Sequence, residues 1–262
     1  MKDPKTSEAL GTLSLIERQM LLYNARRKLV RENPAAEVPG PYRFVTISRD
    51  IGALGDFVAS ELSTRLCWHI FEKEIVDYIA KHGHVRQDLV RQMDERGQSL
   101  VHDTVDRLLR MFQGGSFGNE EYHAALLKTL ATLAAQGGAI LVGHGGAFAL
   151  QGQPGLHVRI TASPAVRVER LSQRWMVSME ETRKRVQQID EERRQFIQYH
   201  FKVNREDNRF FDLIFNTDHI GVEQVVLSLS GALQHPEKIQ VTPARPPFPE
   251  RDAASASKDT GS

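Results

Sequence analysis

A glycine-bearing loop is the first segment of the chain whose residues could bind a ligand. Residues 48–55, Ser-Arg-Asp-Ile-Gly-Ala-Leu-Gly, follow an apolar run and precede a helical pattern that begins near Asp56. In a strand–loop–helix unit, glycines let backbone N–H groups turn inward and the helix N-terminus adds partial positive charge. The pattern therefore favours phosphate binding. The candidate contacts are Gly52, Ala53, Leu54, Gly55, Asp56 and Phe57.

The loop departs from the complete phosphate-loop motif. In GxxxxGK[ST], the lysine reaches the β- and γ-phosphates and the hydroxyl holds Mg²⁺, and neither residue stands at the matching place here. Asp56 would cost about 4 kcal/mol if it faced a phosphate at ~4 Å and an effective dielectric of about 20, but little if it instead capped the helix. Leu54 has a Cβ where glycine would allow close approach. An ordinary tight turn is the alternative interpretation.

Charged residues on two later helical segments form a second candidate cluster. Three arginines recur at i, i+3 and i+7 and so share one helical face: Arg167, Arg170 and Arg174. Asp190 precedes Arg193 by three residues and Arg194 by four, so its carboxylate could orient either guanidinium. Because glutamates are interleaved with these arginines, a pair of solvated helices with local salt bridges is the alternative.

The elements that would position these residues alternate along the chain. Short β-branched runs are followed by long helical patterns, which is typical of a parallel sheet covered by helices. We predict strands at residues 43–48, 139–143, 156–161 and 212–216. We predict helices at 55–67, 72–82, 85–112, 119–136, 163–174, 178–200 and 221–234.

Three regions follow from the same patterns. Residues 1–41 combine an amphipathic helix with a proline-containing linker, and residues 42–235 form the α/β domain. Residues 236–262 carry prolines and then a Ser/Ala/Asp/Lys-rich stretch without apolar periodicity, which predicts a disordered tail. The N-terminal helix is a candidate contact for a protein partner.

Composition bounds the classes of function. The formal net charge is only +1 although 26% of residues are charged, which argues against nucleic acid or an anionic membrane as partner. A single cysteine, Cys67, is typical of a reducing compartment. We find no secretory signal pattern, apolar span or metal-ligand spacing, and therefore expect a soluble cytoplasmic protein without a bound structural metal.

Six segments occur in an order that resembles the cytidylate kinase-like family, P-loop proteins related to nucleoside monophosphate kinases. The resemblance covers about residues 43–234. The segments are ISRDIGALG from Ile47, IFEKEI from Ile70, ILVGHGG from Ile140, HVRITASPAVRVER from His157, DEER from Asp190 and FDLIFNT from Phe211. Family members commonly carry a loop like SRxxGSGGRE, so Ala53, Leu54 and Asp56 depart from the family pattern.

The resemblance implies a P-loop NTPase-like α/β fold with a helical lid, and ATP- and Mg²⁺-dependent phosphoryl transfer to a nucleoside monophosphate, CMP or dCMP. It implies catalytic roles for Arg170, Arg174 and Arg193, with Asp190 orienting the lid. Glu72, Gly143 and His144 would then bind the acceptor, with His144 where the family often has arginine. The degenerate loop keeps a second hypothesis open, a kinase-fold binding or regulatory protein without turnover.

Overall fold

A five-stranded parallel sheet forms the centre of the part of the protein that the computed structural model describes, which comprises Tyr23, Ala25 and residues 42–91, 93, 95–112 and 120–234. The strands are β1 (Phe44–Arg49), β2 (His69–Phe71), β3 (Ala139–Val142), β4 (Gly155–Thr161) and β5 (Leu213–Asn216). Their spatial order is β2-β3-β1-β4-β5, and every neighbouring pair is parallel. All five strands therefore end at one edge, with β1 in the middle.

Helices cover both faces of this sheet. They are α1 (Gly55–Leu66), α2 (Lys73–Lys81), α3 (Gly83–Arg91), α4 (Glu95–Phe112), α5 (Glu120–Gln136), the short α6 (Gly146–Ala149), α7 (Pro164–Trp175), α8 (Met179–Phe201) and α9 (Val222–Gln234). Local sequence sets several starts: Pro164 opens α7, and the Ser178 hydroxyl accepts a hydrogen bond from the Glu181 N–H at 3.2 Å to cap α8. The predicted α/β class is confirmed.

Alternation along β1 divides the core into two layers. Val45 and Ile47 point toward α1 and α9, whereas Phe44 points toward α5 and α6, and all three side chains are fully buried. Because successive side chains of a strand face opposite sides, this central strand can fill both layers only with a nearly continuous apolar run. The packing fixes the end of β1, and hence the start of the glycine-bearing loop.

Two elements differ from the predictions. β2 was not predicted as a strand, because three residues are too few to show an alternating pattern. The prediction of a single helix over residues 85–112 was wrong, because α3 ends at Arg91 and α4 begins at Glu95. Met93 lies in a bend between them, and its N–H donates to the Val90 carbonyl. Apolar periodicity continues across the break and hides it.

Tyr23 lies in the core beside β2. Its ring packs edge-on against Phe71 at 5.0 Å between centroids, and its hydroxyl donates to Gln136 at the end of α5. Tyr23 and Ala25 are helical, as predicted. The rest of the 1–41 segment and the predicted 236–262 tail lie outside the described residues, so the domain boundaries and the partner contact stay predictions.

No helix in the described ranges is both long and apolar enough to span a membrane.

Candidate phosphate-binding site

The glycine-bearing loop joins β1 to α1 at the carboxyl edge of the sheet, where open α/β sheets bind ligands. Leu54 precedes α1 in the left-handed region, with φ 64°, and no side chain caps the helix. The N–H groups of the first turn of α1 therefore have no intrahelical acceptor. A Cβ on Gly52 would come within 2.9 Å of Leu171 and 3.0 Å of the Arg167 carbonyl, so the glycine permits close packing of α7 on the loop.

Side chains from distant elements bind the carbonyls on one side of the loop. Arg167 donates to the Ile51 carbonyl at 3.4 Å, and Arg170 donates to the Gly52 carbonyl at 3.3 Å. The Thr217 hydroxyl, at the end of β5, donates to the Ala53 carbonyl at 3.1 Å. In a trans peptide the N–H points opposite to the carbonyl. Each of these bonds therefore turns the following N–H away from α7 and β5.

Asp190 does not orient Arg193 or Arg194 as the sequence spacing suggested. Its carboxylate accepts from Arg167 at 2.8 Å, joining α8 to α7. Arg194 pairs instead with Glu191 on the exposed side of α8. The predicted lid helices are thus joined to each other, and Val168, Leu171 and Val186 pack between them with Ile51 of the loop.

Two guanidiniums converge at the last carbonyl of β1. Arg193 and Arg205 both donate to the Arg49 carbonyl oxygen, at 3.0 and 2.9 Å. Burial, together with the positive charges of Arg49 and Arg205, lowers the pKa of Arg193 to about 10, and Asp56 and Asp190 offset this only in part. Among the described residues, Arg193 forms no ion pair with a carboxylate. Positive charge is therefore concentrated at the loop entry.

Asp50, the residue after β1, binds the arginines of this site through its carboxylate. Its carboxylate accepts from Arg205 at 2.6 Å and from the Thr161 hydroxyl at 2.7 Å, with Arg159 at 4.0 Å. Burial would raise the pKa of Asp50, but the Thr161 hydrogen bond and the charges of Arg205 and Arg159 outweigh it and hold the pKa below its usual range. One buried carboxylate thus fixes two guanidiniums beside the loop.

Asp56 faces solvent and pairs with Arg49. The carboxylate lies 2.9 Å from Nε of Arg49 and its side chain is 59% exposed, so it does not point into the loop. Phe57 also faces outward, with Arg174 stacked over its ring at 5.7 Å. A groove of about 540 Å³ begins at Phe57 and runs between α1 and α9.

The residues predicted for the acceptor lie across the carboxyl edge from α7. Gly143 and His144 follow β3 with φ 82° and 55°, and Glu72 follows β2. Nε2 of His144 lies 3.6 Å from Asp77 of α2, which accepts from the Tyr122 hydroxyl at 2.7 Å. The turn after β3 is therefore connected to α2 and α5.

Behind this turn, two histidine rings stack inside the protein. Nδ1 of His123 lies 3.1 Å from Nδ1 of His200, and Phe196 packs against His200. One imidazole must donate and the other accept, which requires the accepting imidazole to be neutral. Burial and the neighbouring His200 lower the pKa of His123 to about 4, and burial and Lys202 lower the pKa of His200.

Sequence reasoning missed several residues that build the site. Asp50, Arg49 and Arg159 lie in or beside strands, where a charged residue of an alternating pattern gives no distinct signal. Arg205 follows α8 in an irregular segment with no periodicity. Within the described ranges, three or more residues of metal-ligating types do not cluster.

Comparisons with known proteins give a family for this sequence and a solved structure of similar fold. The sequence profile of the cytidylate kinase-like family matches residues 44–219. A crystal structure of an uncharacterized protein from Eubacterium ventriosum aligns with a TM-score of 0.55 and 15% identity, over 72% of this chain and 96% of that chain. Shikimate kinase from Bacteroides thetaiotaomicron aligns at 15% identity and the same coverages with a TM-score of 0.40. A search of curated proteins found no match.

Proposed function

Because this chain belongs to the cytidylate kinase-like family, we propose that it transfers the γ-phosphoryl group of Mg²⁺-bound ATP to a nucleoside monophosphate, CMP or dCMP. An oxygen of the acceptor phosphate bonds to the γ-phosphorus while the bond from that phosphorus to the β–γ bridging oxygen breaks. ADP leaves, and the acceptor becomes a diphosphate. Such a transfer depends on positioning and charge neutralisation and needs no protein nucleophile.

The convergence of Arg193 and Arg205 on one carbonyl is the observation that carries the proposal. Two guanidiniums so close repel each other, and burial together with the positive charges of Arg49 and Arg205 lowers the pKa of Arg193. A polyanion at the loop entry relieves that repulsion, and charged donors of this kind stabilise a transferring phosphoryl group. Arg193 is therefore the proposed catalytic arginine.

The other predicted residues take distinct roles in the proposal. Arg170 is a positioning residue, because its guanidinium is committed to Gly52 and to Thr217, whose carbonyl it reaches at 2.6 Å. The adenine of ATP enters the groove at Phe57, close to Arg174. The acceptor nucleotide lies against Glu72, Gly143 and His144.

ADP formation tests the proposal directly. The protein is incubated with ATP, Mg²⁺ and each of CMP, dCMP, UMP and AMP. We expect turnover with a cytidine acceptor, and a loss of about 10³ in kcat for Arg193→Ala, since an arginine on a transferring phosphoryl group contributes on that order. Arg194→Ala is the matched control, because the half-exposed Arg194 pairs only with the exposed carboxylates of Glu191 and Glu206 among the described residues. Absence of turnover with every acceptor contradicts the proposal.

A kinase-fold binding protein without turnover is the second candidate. The backbone of Leu54 occupies the left-handed region, which costs about 1–2 kcal/mol for a residue with a Cβ and which glycine adopts freely. A strained leucine in place of glycine favours a protein whose loop no longer supports rapid phosphoryl transfer. Equilibrium binding of Mg²⁺-ATP without ADP formation supports this candidate over the enzyme.

A further inference from the structure

The side chain of Arg49 lies across the loop mouth. A Cβ built on Gly55 would come within 2.5 Å of the Arg49 Cβ and 2.8 Å of its Cγ. A Cβ built on Gly143, at the end of β3, would come within 2.6 Å of the Arg49 Nη1. The guanidinium therefore reaches from the start of α1 to the turn after β3, between the proposed donor and acceptor phosphates.

Aligning the phosphate-loop motif with this sequence shows which motif residue the Arg49 side chain could replace. Laid on residues 49–56, GxxxxGK[ST] places its first glycine at Arg49, its lysine at Gly55 and its hydroxyl residue at Asp56. The side chain missing at 55 and the extra side chain at 49 occupy the same space, since a Cβ at 55 would collide with Arg49. A positively charged side chain is therefore present in the loop, but it is attached at residue 49 and not at residue 55.

The side chain of Arg49 is held less firmly than its main chain. The half-buried Arg193 and the buried Arg205 donate to its carbonyl. Its own charged group, on a side chain that is 18% exposed, pairs with Asp56, whose side chain is 59% exposed. Ion pairs with solvent-exposed carboxylates are weak and are screened by salt. A triphosphate, with several charged oxygens at the same mouth, is the stronger partner for a guanidinium.

We propose that Arg49 supplies, from the strand side of the loop, the positive charge that a lysine at position 55 supplies in complete phosphate loops, and that its guanidinium passes from Asp56 to the phosphates when Mg²⁺-ATP binds. This rests on the proposed function, since it assumes that the loop receives the triphosphate. Asp56, released from Arg49, would be a carboxylate ligand for the Mg²⁺ that accompanies the triphosphate.

Moving the charge back along the loop tests the inference. Three variants are compared with the unmodified protein: Arg49→Met, Gly55→Lys, and the double change Arg49→Gly with Gly55→Lys. For each we measure the Kd for Mg²⁺-ATP, kcat for ADP formation, and thermal unfolding. Arg183→Met, an exposed arginine on α8, is the control for loss of one positive charge.

If a lysine at position 55 can replace the positive charge of Arg49, the variants should follow a specific order of Mg²⁺-ATP affinity and kcat. Arg49→Met weakens Mg²⁺-ATP binding at least tenfold and lowers kcat about 10²-fold, the usual loss of one charge-stabilising donor. Gly55→Lys alone is also impaired, because its Cβ collides with Arg49. The double variant recovers at least tenfold in both quantities relative to Arg49→Met. A purely structural Arg49 instead predicts that the double variant is no better than the worse single variant.

The outcomes separate the two proposals. If the unmodified protein turns over and Arg49→Met matches it, the inference about Arg49 is overturned and the enzyme remains. If the unmodified protein binds Mg²⁺-ATP without turnover while the binding ranking holds, phosphoryl transfer fails and the role of Arg49 stands. If Mg²⁺-ATP does not bind at all, both are overturned.

Discussion

The two halves of the carboxyl edge use different chemistry. On the half proposed for the phosphoryl donor, called the donor half, arginines from α7, α8 and the following segment donate to carbonyls of β1 and the loop, and Asp50 binds two of the cations. On the half proposed for the acceptor, called the acceptor half, neutral imidazoles, phenyl rings and one tyrosine hydroxyl surround the turn after β3. Fixed charge suits a triphosphate, which is the same in every turnover. A ring-lined turn suits selection of an acceptor by shape. Removal of charge should therefore damage the first half, and a change of protonation the second.

Asp50→Asn should give the largest effect, because it breaks the donor half at its anchor. The variant leaves Arg205 and Arg159, both largely buried, beside a neutral amide. Loss of one partner of a buried ion pair costs about 3–5 kcal/mol in the free energy of unfolding. Urea denaturation at neutral pH measures the loss.

The pH dependence gives that result an internal check. Since the pKa of Asp50 is held below its usual value, its contribution is present above about pH 4 and is lost as the pH falls through the folded-state pKa. The difference between variant and unmodified protein should therefore shrink in acid. Glu180→Gln, which breaks an exposed pair with Lys184 on α8, should change stability by less than about 1 kcal/mol. A loss for Asp50→Asn no greater than this control would contradict the anchoring role.

His123→Phe should give an intermediate effect on the free energy of unfolding, and only in mild acid. This pH dependence would distinguish the acceptor half from the donor half. The unfolded chain takes up a proton near pH 6.5, whereas folded His123 does so only near pH 4. The unfolded state thus binds more protons in this window, and stability falls as the pH is lowered through it. Between about pH 6.5 and 4.5, the free energy of unfolding should fall by about 1–2 kcal/mol less in the variant than in the unmodified protein.

Tyr122→Phe is the matched control for this experiment. It removes the hydrogen bond to Asp77 from the neighbouring position without removing a histidine. We expect it to lower stability by about 1 kcal/mol to the same extent across this pH range. If His123→Phe also shifts stability equally at every pH, the histidine pair does not cause the acid sensitivity.

Arg174→Ala should give the smallest effect and tests where the donor half ends. The guanidinium lies over the exposed ring of Phe57, a contact worth about 0.5–1 kcal/mol. We expect a rise of less than about fivefold in the KM for ATP and an unchanged kcat, because Arg174 lies beside the groove proposed for adenine. A fall of about 10²-fold in kcat would instead place Arg174 on the phosphoryl group.

Much of the fold could be predicted because its signals are local. β1, β3, β4 and β5 are apolar runs bounded by turn residues, and each lies within a residue or so of its predicted limits. β2 has only three residues, and the break at Met93 falls within a continuous helical pattern. In both cases contacts with other elements, rather than local preference, fix the structure.

The site could be predicted less well because its partners are far apart in sequence. Spacing along one helix suggested Arg193 or Arg194 as the partner of Asp190, but packing of α7 against α8 brings Arg167 there. Arg205 reaches Arg49 across 156 positions of chain. A resemblance to a family could indicate the loop, but not which guanidinium stands in for the missing lysine.

The burial of Tyr23 has a consequence for how the protein matures on the ribosome. Its partner Gln136 is synthesised 113 residues later, so Tyr23 cannot take up its packed position until α5 has emerged. Until then its apolar ring has no site to occupy, and nascent chains halted before α5 should be substrates for chaperones. Recombinant versions cut back to the start of β1 should be less soluble, since removing Tyr23 uncovers Phe71 beneath it.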